Sequence, residues 1–361
     1  MKVKELSNSL IGTRASGAQT GASLKVRELS NALIDTRVVG AQTGISMKTH
    51  AVGEQIGAKM NRSSYKAIFT LVKRNFLLYS RDRAQVLFSI LTMLIVIVLT
   101  VLFLGKSTYD SLEEILVGFG KTITEETTEN MKSVLFLWNI AGILVVNSVT
   151  ISLTMAGRIV IDQETNKQMS LRVTPLKQWQ LAVSYILSSV VVSTVMCLIT
   201  YGIALGINTL QGGDFPSLTT HGKVCGLILL NCILYSTFMQ IIALCVKSAG
   251  AWTGFGTIVG TLIGFLGAIY LPMGMLTDSV RLFLKCLPVL HQSALLRDLL
   301  TNAPIQTLFK GLDPLVLEEY RKAMGIQINW GEHILPTIVS VAFLFICAML
   351  SLIGALRIRS K

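Results

Sequence analysis

Six stretches of this chain run for 20 to 25 residues without one Asp, Glu, Lys or Arg: 84–104, 134–155, 181–205, 224–246, 252–271 and 335–356. No other feature restricts the fold as much. A helix of about 20 residues rises about 30 Å, the thickness of a bilayer's hydrocarbon core. A helix is also the one single segment that satisfies its backbone hydrogen bonds internally while crossing lipid. Composition agrees: 52% of the residues are hydrophobic and 14% charged, with mean hydropathy +0.61, against about 25% charged in a soluble domain. The expected fold class is an all-α polytopic membrane protein with six transmembrane helices.

Charges between the runs orient them. An even number of spans puts both ends on one side. That side, made of residues 1–83, 156–180, Lys247 and the tail after 356, carries 22 positive and 7 negative residues, and the other carries 10 and 13. Basic connections stay in the cytoplasm, so both termini are expected there. The same bias accounts for the net charge of +12, and no nucleic-acid partner is expected.

Ahead of the first span lie two segments. Residues 3–25 and 26–48 are a tandem duplication with 16 identities in 23 positions. This polar stretch, 1–62, reads as a flexible cytoplasmic tail or a docking arm. It lacks the apolar stretch of a signal peptide, so the first span is expected to direct insertion. Residues 63–83 read as an amphipathic helix with Ile68, Phe69, Leu71, Val72, Phe76, Leu78 and Tyr79 on one side. Lys66, Lys73, Arg74 and Arg81 stand on the other, a pattern suited to an in-plane helix among lipid headgroups or to a simple juxtamembrane basic cluster.

The outer connections are less uniform. Residues 105–133 are acidic (Asp110, Glu113, Glu114, Glu125, Glu126, Glu129) and fit two solvated amphipathic helices or a vestibule for a cationic substrate. Residues 272–300 are semi-apolar but broken by Pro272 and Pro288, with Arg281, Lys285, His291, Arg297 and Asp298 poorly placed for a free span. They read as a re-entrant helical hairpin before the last span rather than a seventh crossing. A capping helix is expected over 314–324.

The spans hold neutral polar residues: Asn139, Asn147, Asn231 and Gln240. These serve interhelical hydrogen bonds or contact a substrate. No Asp, Glu, Lys or Arg sits within a span, which argues against an ion-coupled carrier or channel. Gly256, Gly260 and Gly264 follow at intervals of four and give one face of the fifth span a close-packing surface. The six cysteines show no CxxC pair, and His291 is alone, so no metal is expected. No phosphate loop and no catalytic constellation are present, so any energy source sits on another polypeptide.

One inner connection, 158–181, is sizeable. It carries Arg158, Asp162, Glu164, Lys167, Arg172 and Lys177 around the turn Thr174-Pro175-Leu176. An acidic pair (Asp162-x-Glu164), then Met169, Leu171 and Val173, then Thr-Pro-Leu, Lys177 and Trp179: with the in-plane helix, six spans and broken hairpin, this resembles the permease subunit of type 2 ABC exporters over roughly residues 63–361. Bacterial drug, polysaccharide, teichoic-acid and peptide-toxin exporters belong to that group. Asn166-Lys167 stand where the family usually has Gly, and Ser184 lies near a usual Lys.

The resemblance implies a non-enzymatic subunit of a bacterial plasma-membrane exporter. A nucleotide-binding ATPase, holding ATP and Mg, would be the partner, with a second permease copy completing a dimer. Asp162, Glu164, Leu171, Thr174, Pro175, Leu176 and Lys177 would form the coupling element, and this chain itself would carry no cofactor. The substrate would be an amphipathic drug, a peptide toxin or a lipid-like molecule. A non-transporting membrane scaffold or sensor is the remaining alternative, and a neighbouring ATPase gene discriminates against it.

Overall fold

The computed structural model describes residues 65–99, 105–167, 178–213, 215–331 and 333–360. The duplicated tail lies outside these residues. So do Leu171, Thr174, Pro175, Leu176 and Lys177 of the inner connection.

Helix α1 covers 65–81. α2 follows at Arg83–Leu99, α3 at Gly105–Gly118, α4 at Glu125–Glu164, α5 at Gln178–Leu210, α6 at Leu218–Cys245 and α7 at Ala249–Leu266. A 3-10 turn at Met273–Met275 leads to α8 (Asp278–Lys285), α9 (Pro288–Leu308) and α10 (Pro314–Ala323). A two-residue antiparallel pair, Asn329–Trp330 with His333–Ile334, precedes α11 (Thr337–Ser360).

Five of these helices are long and apolar enough to cross a membrane: α4, α5, α6, α7 and α11. The sixth expected span, 84–104, is helical for the 17 residues of α2, and 100–104 lie outside the described residues. The apolar runs set the helices but not their ends. α4 extends the expected 134–155 to 40 residues, a rod of about 60 Å, twice the hydrocarbon thickness. Its outer start is fixed by Thr124, whose hydroxyl accepts from the Thr127 amide, with Glu125 and Glu126 in the first turn.

α4 is the axis of the fold. It packs against α2, α3, α5, α6, α7 and α9, and its buried residues run from Thr127 to Asp162. Close approaches need its glycines. A methyl at Gly142 would stand 2.8 Å from Ile269, and one at Gly157 would stand 2.7 Å from the Trp252 indole. The expected close-packing face of α7 is only partly used: a methyl at Gly256 would stand 3.1 Å from Leu153 of α4 and one at Gly264 would collide with the Tyr270 ring, whereas one at Gly254 or Gly260 would meet nothing within 4 Å among the described residues. Trp252, Ile263 and Gly264 are the buried residues of α7.

The region between α7 and α11 is broken as its prolines require. α7 stops at Gly267, Pro272 precedes the 3-10 turn, and Pro288 starts α9, where a missing amide proton costs nothing. Ile269 lies against Gly142, midway along α4, and Val289 lies against Gly267. α9 therefore begins at mid-bundle depth. Its far end packs with Leu112, Leu116, Met131, Trp138, Tyr320 and Met324 in a separate apolar cluster. The expected capping helix is α10.

Candidate functional site

The C-terminal end of α4, the inner end in the expected orientation, gathers the charged residues that flank the 168–177 connection. Arg158 and Asp162 stand one turn apart and share a face. Asp162 is buried. Its Oδ2 accepts from the Tyr185 hydroxyl of α5 and, at 3.4 Å, from the Arg74 guanidinium of α1. Arg158 donates to Gln85 Oε1 at 2.8 Å and pairs with Asp82 at 3.6 Å, both at the α1–α2 corner. Glu164 Oε2 accepts from the Ala249 amide at 3.3 Å, which sets a carboxylate on the positive N-terminal end of α7. Two turns of α4 thus bond to α1, α2, α5 and α7.

The chain leaves α4 at this point. Thr165 caps it and Asn166 takes φ 55°, a left-handed conformation that Asn tolerates better than most residues.

α1 has three faces where two were expected. Ile68, Leu71, Asn75 and Tyr79 are buried against the bundle. Asn75 donates to Ser188 Oγ at 3.3 Å, and Tyr79 packs with Ile151, Met155, Val192 and Met196. Tyr65, Phe69 and Phe76 form an exposed apolar stripe. Lys66, Lys73 and Arg81 are exposed, but Arg74 turns inward to Asp162. Periodicity could not separate Arg74 from the others, because its partner lies 88 residues away.

The neutral polar residues of the spans mostly join helices. Asn147 donates to Thr200 Oγ1 at 2.8 Å, linking α4 to α5, and Gln240 donates to the Ala182 carbonyl at 3.3 Å, linking α6 to α5. Asn139 donates to the Leu135 carbonyl of its own helix. The carbonyl oxygens of Asn139 and Asn231 are buried without a partner among the described residues, and these two remain the candidates for contact with a transported molecule.

Sequence reasoning missed a serine relay: Ser152, Ser236 and Ser189 connect α4, α6 and α5 at 3.2 and 2.8 Å. Single serines in apolar runs carry no spacing signal. It also placed no charge inside the bundle, yet Arg297 of α9 is fully buried. Its guanidinium lies 4.0 Å from the Trp138 ring and donates to the Ala268 and Gly325 carbonyls. The signal was an Arg in a semi-apolar hairpin that no free span could carry.

Among the described residues, five helices are long enough to cross a membrane, α4 runs for 40 residues, and a polar hub stands at its C-terminal end. Residues 117–357 match the family described as ABC-2 family transporter protein. The chain belongs to this family. As an ABC-2 permease it is a multi-pass membrane component of an ABC transport system, and membership implies an ATPase as partner. The match begins inside the outer loop, so α1 and α2 precede it. A search of curated proteins finds no match to the chain.

Proposed function

We propose that this ABC-2 permease is an exporter subunit driven through its 158–181 connection by a separate ATPase, which binds ATP and Mg. The observation that carries the reading is the hub at the inner end of α4. Force applied to 168–177 would enter α4 at Glu164 and α5 at Gln178, and directional bonds at Arg158, Asp162 and Glu164 would pass it to α1, α2, α5 and α7 together. Leu171, Thr174, Pro175, Leu176 and Lys177 make the contact with the ATPase in this reading.

α2 serves as the sixth span, α8–α9 as the re-entrant hairpin, and both termini face the cytoplasm of a bacterial plasma membrane. Lys66, Lys73 and Arg81 meet lipid headgroups from an in-plane α1. A second copy of the permease, or a homologue, packs on the exposed side of α7, around Gly254, Ile258, Gly260 and Leu262. The cargo is an amphipathic drug, peptide toxin or lipid-like molecule moving outward.

Two experiments test this. Glu114→Cys should react with a membrane-impermeant maleimide added to intact cells, and Gln168→Cys should not; the reverse pattern overturns the orientation. Pro175→Gly should preserve membrane insertion while removing the permease's effect on ATP hydrolysis by its co-purified partner. Unchanged coupling in Pro175→Gly removes the connection from the mechanism.

A further inference from the structure

An open cleft of about 490 Å³ lies where the start of α2 and the start of α7 meet α4. α4 lends it Leu153 and Arg158, the α1–α2 corner lends Asp82 and Gln85, and α7 lends Trp252 and Gly256. Its depth is set by α7. That helix is long and apolar enough to cross a membrane with 18 residues, a rise of about 27 Å that is close to the hydrocarbon thickness. Trp252 stands in its first turn. The cleft therefore lies where acyl chains give way to headgroups, the level that Trp favours. This holds whichever side of the membrane that end faces.

The cleft holds donors with nothing to donate to. The contacts of the Arg158 guanidinium, with the Leu78 carbonyl, Gln85 Oε1 and Asp82, all fall on Nη2. Its Nε and Nη1 bond no described residue and are not sealed from the cleft. The Trp252 indole N–H also lacks a partner among the described residues and stays accessible, although the residue as a whole is buried. Gly157 is what lets this nitrogen lie against the α4 backbone, one residue from Arg158. Beside these donors stands one carboxylate. Asp82 is 45% exposed at its side chain and meets Arg158 at 3.6 Å through a single oxygen. Leu153 packs against Gly256 below them, and it supplies an apolar floor.

We infer that this cleft seats one phospholipid with an ethanolamine headgroup. Its phosphate takes the free donors of Arg158 and Trp252, its ammonium lies on Asp82, and the head of one acyl chain rests on Leu153 and Gly256. A cation and a carboxylate side by side match a zwitterion. A choline headgroup has no N–H to give Asp82, and a glycerol headgroup gives a neutral hydroxyl where an ammonium makes the stronger, charge-assisted bond. Arg81 and Arg83 are exposed and outside the lining. They attract anionic surfaces in general, an effect that salt screens. The site rests on α4 and α7 crossing the membrane and does not depend on the ATPase reading.

The test is scintillation proximity binding of tritiated dioleoyl phosphatidylethanolamine to the purified full chain in detergent, at raised salt. Unlabelled competitors are the glycerol and choline lipids with the same chains, and chain-free phosphorylethanolamine. The ethanolamine lipid should bind saturably, at least about fivefold tighter than either other lipid. Phosphorylethanolamine should not compete at the same concentrations. Thr253→Trp and Thr257→Trp fill the cleft from exposed positions of α7, and each should abolish saturable binding. Ile258→Trp, exposed but outside the lining, should leave it intact. Asp82→Asn should erase the preference for ethanolamine over glycerol, and Trp252→Phe should weaken all three lipids severalfold. The inference is overturned by binding that survives both threonine variants, by a glycerol lipid or phosphorylethanolamine that competes as well as the ethanolamine lipid, or by no saturable binding. A fall in dimer fraction in Thr253→Trp with lipid binding unchanged would give the cleft to a second copy of the chain and also overturn it.

Discussion

The two ends of α4 are held in different ways. In the proposed orientation the outer, N-terminal end sits in an apolar cluster with α3, α9 and α10, fastened by the Trp138 indole on the Met324 carbonyl and by Arg297 against Trp138. The inner, C-terminal end is also packed, with Ala156, Ile159 and Val160 in the main apolar cluster, but it adds several charged bonds at Arg158, Asp162 and Glu164. Apolar packing is dense, and its strength depends on total contact area. Charged hydrogen bonds depend on geometry and can be exchanged one at a time. One helix therefore carries an outer end held by packing and an inner end whose charged bonds can trade partners, which supports the proposed role of α4 in passing on force.

The difference can be broken by substitution, with stability expected to fail at the outer end and coupling at the inner end. Arg297→Ala has the largest expected effect on stability. It opens space beside Trp138 and strips the Ala268 and Gly325 carbonyls of their donor, a loss of about 3 kcal/mol or more. A melting temperature of the detergent-purified protein unchanged from the parent would show that Arg297 is no anchor. Trp138→Phe keeps the ring but orphans the Met324 carbonyl, and about 1–2 kcal/mol should be lost in the same measurement.

At the inner end, Asp162→Asn preserves shape and an acceptor for Tyr185 while removing the charge that holds Arg74. With Arg74 one third exposed, solvent screens the pair, and the stability cost should be about 1 kcal/mol or less. Coupling to the ATPase should nevertheless fall severalfold. A variant that melts early but couples normally would reverse the assignment of roles. Glu164→Gln gives the smallest change, about 0.3–1 kcal/mol from the weakened interaction with the α7 N-terminus. Raised salt should shrink that difference further, because the site is exposed.

Much of this architecture is legible in the residue order, and the reasons are local. Runs without charge fix where α4, α5, α6, α7 and α11 lie, since lipid leaves the backbone no alternative. Pro272 and Pro288 fix the breaks around α8 because neither can donate to a preceding turn. Leu112 and Leu116 against Asp110 and Glu114 give α3 its buried and wet sides. What could not be read depends on pairing at a distance. Nothing near Asp162 signals that it faces Tyr185 and Arg74 instead of a soluble partner. Arg297 looks like a loop cation until Trp138 and two carbonyls close around it. The glycine series of α7 promises close packing without saying against what, and the structure sets Gly256 against Leu153 and Gly264 against Tyr270 while Gly254 and Gly260 stay open. The coupling element was the least accessible part: its acidic pair belongs to α4, but the Thr174-Pro175-Leu176 turn lies outside the described residues.

The central claim is that a separate ATPase engages the 168–177 connection. Photo-crosslinking in intact cells tests it most directly, with p-benzoylphenylalanine at Leu176 in one strain and at Glu114 in another. The account predicts that Leu176→p-benzoylphenylalanine yields an adduct whose partner, identified by mass spectrometry, carries a GxxxxGK[ST] phosphate loop, and that Glu114→p-benzoylphenylalanine yields none with that protein. An ATPase adduct at Glu114, or none at Leu176 despite normal expression, would contradict it.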